Sequence, residues 1–355
     1  MKATANDPVH ELKAVLAEHL PWHGARIGFL AQSLLALFKV RSVSLAELAA
    51  GFGGQAQVDS HHKRLQRFSR SFEINPDHWA RPLVRPVPVG DGPWRLTMDR
   101  THWQFGRADI NFLVLGIACR GIAVPVFWSV PDKAGNSDTA ERKAPMERFL
   151  AVFGAGRIAV LLADREFVGE AWFHWLQTQR VPFHQRIKRD TLVPNRWNRM
   201  MRIDTLWGSL KPGQAHLLPG RRPVWGRFVH RSAPRPDDGE LLAIATSGAP
   251  RAEAIDARAD RWQIETLFGC LKTRGFNFED THLRDAARLS KMMGLLALAF
   301  AWTHRIGEQL HDQDRPIPSK KPFGDRSSPS SAMASISCAT SPSTSPRNSR
   351  ISGGL

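Results

Sequence analysis

Three acidic residues stand where a carboxylate is unusual or well placed for chemistry. Asp99 lies inside an apolar, β-rich segment, L-T-M-D-R-T, although strand interiors disfavour Asp. Asp164 follows six apolar residues at the carboxyl end of a predicted central strand, where ligand sites in α/β sheets commonly gather. Glu265 lies on a predicted helix late in the chain. If the two strands are neighbours and the helix packs against them, the three carboxylates converge.

Converging carboxylates repel one another and lose hydration, so they need a cation. Oxygen ligands without a nearby His/Cys cluster suit hard ions, Mg²⁺ or Mn²⁺. Two such ions ~3.5–4 Å apart can activate a hydroxyl and stabilise the leaving oxygen of a phosphodiester, which predicts a polynucleotide-cleaving site. Taken singly, each acid has a plainer interpretation: an Asp at a strand end is a turn or cap residue, and a helical Glu is a solvated surface group.

The helix that carries Glu265 has two distinct faces. At about 100° per residue, Arg258, Arg261 and Lys272 fall with Glu265 within an arc of about 60°, and apolar residues occupy the adjacent face. A metal-binding acid beside Arg and Lys can hold a metal and DNA phosphates together. The alternative is a salt-bridge stripe, in which Arg261 pairs with Glu265 one turn further on.

The N-terminal part of the chain predicts a helical domain over residues 1–85, because its apolar residues recur at helical spacing. Its last helix, H-H-K-R-L-Q-R-F, is basic and amphipathic, and Lys63, Arg64 and Arg67 are its DNA-binding candidates. The series of short helices allows a helix-turn-helix-like unit or a small bundle with a charged face. Residues 80–93 are proline-rich and predict an extended linker.

The rest of the chain predicts an α/β fold with an insertion. Residues 94–190 give the order β-β-β-α-β-α-β, a mixed sheet covered by helices, whose first three strands form an antiparallel meander. Residues 191–250 predict a β-rich insertion. Between 180 and 235, thirteen Lys or Arg and two Asp are interleaved with Trp. This composition suits a surface that contacts phosphates and stacks on bases. The alternative is a solvated sheet face with buried Trp anchors. Residues 251–312 predict helices of the catalytic core, including the helix that carries Glu265. Residues 316–355 predict a disordered tail.

The overall charge favours a polyanionic partner. The 355 residues include 49 Lys and Arg against 33 Asp and Glu, a net charge of +16, which suits nucleic acid first and an anionic membrane second. The three cysteines form no C-x-x-C pair, which argues against a disulfide framework or a zinc knuckle. The N-terminus lacks a signal-peptide core, and the longest apolar run, 292–302, is about half a membrane span. We therefore expect a soluble, cytoplasmic protein with no membrane partner.

Three blocks of sequence resemble the DDE transposases of bacterial insertion sequences, specifically the insertion-sequence-four family. They are L-T-M-D-R-T-H-W around Asp99, L-L-A-D-R-E-F-V-G around Asp164 and R-W-Q-I-E-T-L-F-G-C-L-K-T-R-G-F-N around Glu265. The third block carries most of the family's Tyr-x2-Arg-x3-Glu-x6-Lys signature, whose Arg, Glu and Lys fall on Arg261, Glu265 and Lys272.

The resemblance, which spans roughly residues 25–310, implies an RNase H-like fold with a β-rich insertion before the glutamate helix. It implies that Asp99, Asp164 and Glu265 bind two Mg²⁺ (or Mn²⁺) ions. The enzyme would hydrolyse DNA at a transposon end and then transfer the freed 3′ end into target DNA. Its partners would be double-stranded DNA, as terminal repeats and as target, and a second copy of the chain in a synaptic complex at the bacterial nucleoid.

Further DNA-binding candidates follow from the same resemblance. Arg261 and Lys272 would position phosphates, together with Arg165 in the second block. In related enzymes a Trp of the insertion helps to hold a flipped base at a hairpin end, and Trp207 or Trp225 would serve here.

The sequence departs from the family pattern in two places. Arg258 stands at the signature's Tyr position, which removes a possible phosphate hydrogen bond and substitutes a cation. After Lys320 and Lys321 the chain becomes Ser/Pro-rich where family members continue with basic and aromatic residues, a change that a frameshift would produce. Two alternatives to a working transposase follow: a DNA-binding remnant that has lost turnover, and an RNase H-like nuclease or resolvase without strand transfer.

Overall fold

A computed structural model gives the fold of the chain. It describes residues 7–132, 135–218, 220–236, 240–248, 253–272 and 275–312, with the backbone alone for 253–259 and 309–312. The tail predicted at 316–355 lies outside the described residues.

Within the described residues, five α-helices precede the sheet: α1 (Pro8–Ala17), α2 (Gly24–Val40), α3 (Leu45–Gly51), α4 (Val58–Ser71) and α5 (Ala80–Val84). The Asp7 carboxylate caps α1 by accepting the Val9 N–H at 3.0 Å. The prediction of an extended linker over 80–93 is wrong at its start, because 80–84 is helical. Pro82 lies in the first turn of α5, where its missing N–H forfeits no helical hydrogen bond.

The central sheet is mixed, as the order of elements predicts. Its first five strands are β1 (Trp94–Phe105), β2 (Ala108–Cys119), β3 (Ile122–Ser129), β4 (Ile158–Ala163) and β5 (Phe183–Ile187). The first three form an antiparallel meander, while β4 pairs parallel to β1 and β5 parallel to β4. Arg120 and Gly121 both have positive φ in the tight turn between β2 and β3, as a two-residue hairpin loop requires. The helices α6 (Thr139–Phe153) and α7 (Glu170–Thr178) connect the later strands.

The β-rich stretch continues the central sheet. Its elements are β6 (Leu192–Pro194), β7 (Met200–Arg202), α8 (Ile203–Leu206), β8 (Gln214–Leu217), β9 (Arg222–Val224), β10 (Arg227–Arg235) and β11 (Ala243–Thr246). Because β11 pairs with β5, the sheet has the order β3-β2-β1-β4-β5-β11-β10-β8, and β9 pairs with β10. The strands β6 and β7 form a separate hairpin.

Two helices complete the described chain, α9 (Glu253–Leu271) and α10 (Ala286–Asp312). One hydrophobic core lies between them, the N-terminal helices and one face of β1–β3, and a second core lies on the other face with α6 and α7. The N-terminal helices therefore share their core with α9 and α10. Trp79 packs directly on Gly294 of α10, where a Cβ would come within 2.5 Å of the indole ring.

Among the described helices, none is by itself long and apolar enough to cross a membrane. The bent pair of α2 and α3 reaches that length and hydropathy only when its two helices are taken together.

Candidate functional site

The two aspartates occupy neighbouring positions on two parallel strands: Asp99 lies midway along β1, and Asp164 directly follows the last residue of β4. Met98 of β1 is in register with Ala163 of β4, so Asp99 and Asp164 occupy the next pair of positions along the two strands. Equivalent positions of adjacent strands share a face and are separated by about 5 Å, the spacing between strands. Met98 and Ala163 point into the core with α6 and α7. The aspartates therefore take the opposite face of the sheet, where α9 packs against β1.

The Asp99 carboxylate is largely buried and has polar neighbours on both oxygens. Oδ1 accepts the N–H of Arg100 at 2.8 Å, and Oδ2 lies 3.6 Å from Nη1 of Arg261. Burial raises the pKa of Asp99 to about 7, against the lowering effects of this N–H and of Arg261, and the charges of Glu166 and Asp164 raise it further. Asp99 therefore holds a proton more readily than an ordinary carboxyl.

The Asp164 carboxylate has one poorly satisfied oxygen. Its Oδ1 is buried and accepts no hydrogen bond from any described residue, although Nη1 of Arg186 lies 3.6 Å away. Arg186 comes from β5 and also donates to Glu240 at 3.1 Å. A buried carboxylate oxygen without a donor costs free energy unless a cation or water meets it.

Helix α9 lies across β1 and is tied to it by charged pairs. Asp260 pairs with Arg95 of β1, four residues before Asp99. Arg261 is 7% exposed and donates to Glu265 Oε1 at 2.8 Å while facing Asp99. The predicted i,i+4 salt bridge is therefore present, and the guanidinium lies between two of the three predicted acids.

Lys272, at the end of α9, is also engaged within the protein. Its Nζ donates to the carbonyl of His102 on β1 at 2.9 Å and pairs with Glu279 at 2.8 Å. It also lies 5.4 Å from the centre of the Trp103 ring. Lys272 thus fixes the end of α9 to β1, and a phosphate would have to replace these partners.

The fit to a divalent ion differs among the three acids. Asp99 and Asp164 offer neighbouring carboxylates, and Asp164 has a buried oxygen that accepts no hydrogen bond from a described residue; oxygen donors of this kind are those that Mg²⁺ or Mn²⁺ prefers. Glu265 is separated from Asp99 by the Arg261 guanidinium. In the described part of the chain no three His, Cys, Asp or Glu side chains are grouped closely enough to hold one ion. The aspartate pair fits a hard cation, and Glu265 joins it only if Arg261 moves.

A further ion pair, which sequence reasoning missed, links β1 next to Asp99 with the loop after Asp164. Arg100 donates to both oxygens of Glu166, at 2.7 and 3.0 Å, in a bidentate arrangement. It also donates to Asn136 at 3.1 Å and to the carbonyl of Gly135. Both partners stand within two residues of a predicted aspartate, D-R in the first block and D-R-E in the second, and that proximity is the only signal the sequence offers.

We expect this pair to control the relative position of the two aspartates. Arg100→Ala and Glu166→Ala should each lower the rate of DNA nicking by about tenfold to a hundredfold, because small displacements of reacting groups cost rates of this size. The double variant should be no slower than the slower single one, since both changes remove the same interaction. Single-turnover nicking measures all three. As a control, Arg85→Ala, which breaks the exposed pair with Glu18, should keep the wild-type rate. If the rate losses of Arg100→Ala and Glu166→Ala add up in the double variant, the two residues do not act through one shared interaction.

The tryptophans of the β-rich stretch, which include the predicted Trp207 and Trp225, occupy different environments. Trp207 is 3% exposed, lies in the core of the sheet and donates its indole N–H to His216 at 2.9 Å. Trp225 is half-buried at the β9–β10 turn, where it meets the Phe173 ring edge-on. Trp197 is 65% exposed between β6 and β7, with the Arg196 guanidinium 3.8 Å from its ring centre. The fold gives Trp207 an anchoring position and leaves Trp197 facing solvent.

The predicted basic residues are mostly accessible. Arg165 is exposed in the loop after β4, and Lys63 and Arg67 are exposed on α4. Arg64 is half-buried, with its guanidinium 5.0 Å from the centre of the Phe29 ring. Arg258 falls on α9 where the backbone alone is described.

Comparison with known proteins gives a family and two structural likenesses. Residues 91–302, more than half of the chain, match the family model described as a transposase DDE domain. No curated protein was found to match. A piggyBac transposase in a cryo-EM synaptic complex with hairpin DNA is similar over 95% of this chain and 78% of its own, at 11% identity and a TM-score of 0.47. Human ENDOV is similar over 66% and 93%, at 16% identity and a TM-score of 0.26. The family match includes all three predicted acids.

Proposed function

The chain belongs to the transposase DDE domain family, and on that premise we propose that it cuts DNA at the ends of a mobile element and joins those ends to target DNA. One observation carries the proposal: Asp99 within β1 and Asp164 directly after β4 occupy neighbouring positions of two parallel strands, and α9 packs on the same face of β1 with Arg261 between Asp99 and Glu265. Three segments far apart in sequence thereby contribute to one site.

Asp99 and Asp164 would hold a divalent cation, Mg²⁺ or Mn²⁺, and Glu265 would complete the ligand set on release from Arg261. When bound, such ions activate a water or a 3′-hydroxyl and stabilise the leaving oxygen of a phosphodiester. Carboxylates with adjacent oxygens are the donors such hard ions require. The same residues serve cleavage and strand transfer, because both are displacements at a phosphate.

The protein's own residues prepare this site through charge and position. Arg261 offsets the negative charges of Asp99 and Glu265, and on leaving them it can bind a phosphate of the substrate. Lys272 holds the end of α9 on β1 through the His102 carbonyl. Arg100 of β1 and Glu166 hold the loop after β4 beside β1.

The finer features of the proposal rest on topology and charge. The order β3-β2-β1-β4-β5, with β4 and β5 parallel to β1, supports an RNase H-like core, and the three sequence blocks support the insertion-sequence-four family. The net charge of +16 supports double-stranded DNA as the partner, both as terminal repeats and as target. The enzyme acts as a homodimer in a synaptic complex, in the bacterial cytoplasm at the nucleoid.

Metal-dependent nicking tests the proposal. The full chain is incubated with a duplex carrying the inverted repeat that flanks its gene, with and without Mg²⁺, and cleaved ends are then offered a target plasmid. We expect nicking and joined products only with Mg²⁺, neither of them with Glu265→Gln, and both with Glu47→Gln, an exposed glutamate of α3.

The other outcomes separate the alternatives. Equal nicking by wild type and Glu265→Gln would overturn the site assignment. DNA binding without any Mg²⁺-dependent nicking would identify a remnant that has lost turnover. Nicking without joined products would identify a nuclease or resolvase.

A further inference from the structure

An open cleft of about 610 Å³ lies beside the aspartates. One wall is the loop after β4, with Arg165 and Glu166, and the other comprises Lys188 and Arg189 after β5 and the segment of Arg202 at the end of β7. The cleft thus begins one residue beyond Asp164 and runs toward the β6–β7 hairpin.

Three cations of this cleft are uncommitted. Arg165, Lys188 and Arg189 are exposed, and no described residue accepts a hydrogen bond from their side chains or pairs with them. Most of the acids in the lining are already neutralised. Glu166 is bound by Arg100.

The second neutralised acid is Asp204, which accepts from Arg202 at 2.6 Å and 3.1 Å. Asp190 is the remaining carboxylate of the lining. The available charge in the cleft is therefore positive, and it is spread over an open surface instead of being focused on one point. Such a distribution suits a polyanion better than a single small anion.

Strand register places these cations in line with the aspartates. Ala163 of β4 is in register with Gln185 of β5, so Lys188 lies three residues beyond the level of Ala163 and two beyond that of Asp164. At ~3.3 Å per residue, Lys188 is roughly 7 Å further along the strand direction than Asp164. A DNA strand with one phosphate at the aspartates would place neighbouring phosphates over the cleft.

We propose that this cleft binds the sugar–phosphate backbone of the DNA strand adjoining the reacting phosphate, through Arg165, Lys188 and Arg189. The location of the reacting phosphate rests on the proposed function, whereas the affinity of the cleft for DNA backbone does not. The contacts are made to phosphates, so they carry no sequence preference.

Salt dependence of binding tests the cleft without requiring catalysis. A fluorescent duplex of arbitrary sequence is titrated with the full chain at several salt concentrations. A plot of log K against log salt has a negative slope, and each lost phosphate contact reduces the magnitude of that slope by about 0.9. We expect Lys188→Gln/Arg189→Gln to lower the slope by about 2, and Lys188→Arg/Arg189→Lys to keep the wild-type slope because the charges remain.

The control pair is Arg107→Gln/Arg305→Gln, which removes the same charge from exposed residues outside the cleft. Arg107 lies in the turn between β1 and β2, and Arg305 lies on α10. A fall in slope confined to the cleft pair supports the proposal. Equal slopes for the cleft pair and the control pair would overturn it.

Uncharged methylphosphonates locate the contacts on the strand. They are placed one at a time around the nicking position, and we expect those next to it to weaken wild-type binding but to have little further effect on Lys188→Gln/Arg189→Gln. If the cleft variant lowers the slope as expected but the wild type never nicks, the proposed function is refuted and a DNA-binding cleft remains. Wild type that nicks while the cleft variants bind normally would refute the cleft alone.

Discussion

Asp99→Asn is expected to abolish Mg²⁺-dependent nicking of a terminal-repeat duplex, with a loss on the order of a thousandfold or more. The amide keeps the size of the side chain and can still accept the Arg100 N–H, but it removes the negative charge that a divalent ion requires. Asp164→Asn should have a similar effect, because the two carboxylates occupy neighbouring positions of β1 and of the end of β4. Single-turnover nicking at saturating protein measures the loss.

The matched control is Asp109→Asn, an exposed aspartate of β2 that accepts from Gln104 at 2.8 Å. It should nick at the wild-type rate, and all variants should bind the duplex. An Asp99→Asn protein that binds and nicks like wild type would show that the aspartate pair is structural.

Arg261→Ala is expected to destabilise the protein by about 2–3 kcal/mol at pH 8 in the presence of a chelator. Loss of one partner of a buried ion pair typically costs ~3–5 kcal/mol, because the remaining charges stay buried without compensation. The expected cost is lower here because Glu265 is 37% exposed and partly screened by water. Urea denaturation followed by fluorescence measures the difference.

The sign of the pH dependence follows from the pKa of Asp99, which the fold raises to about 7 from 3.8. Such a group contributes stability that is fully present below its pKa in the unfolded chain and is lost as the pH rises through about 7. At pH 5 Asp99 is mostly protonated and does not need the Arg261 charge. The cost of Arg261→Ala should therefore be smaller at pH 5 than at pH 8.

Two further measurements check this interpretation of Arg261. Arg95→Ala, which breaks the more exposed pair with Asp260, should cost no more than about 1 kcal/mol. Mg²⁺ should raise the Tm of Arg261→Ala more than that of wild type, because the ion can replace the missing guanidinium. A pH-independent cost together with no Mg²⁺ effect would assign Arg261 a packing role only.

The sequence by itself determined the elements and the three acidic blocks. Alternating apolar runs identified the β1–β2–β3 meander and the buried strand β4, and helical spacing identified α6, α7 and α9, because these patterns depend on neighbours a few residues apart. The same local evidence placed Asp99 and Asp164 at their strands and Arg261 one turn from Glu265 on α9.

Only the tertiary structure decided which of these groups meet. The pairing of Arg100 with Glu166 joins residues 66 positions apart, and Arg261 faces Asp99 because α9 docks on the face of β1 that carries it. The burial of Trp207 follows from where the β-rich stretch joins the sheet through β11 and β5. Such contacts depend on strand register and helix docking, which periodicity does not encode, since one-residue shifts exchange the two faces of a strand.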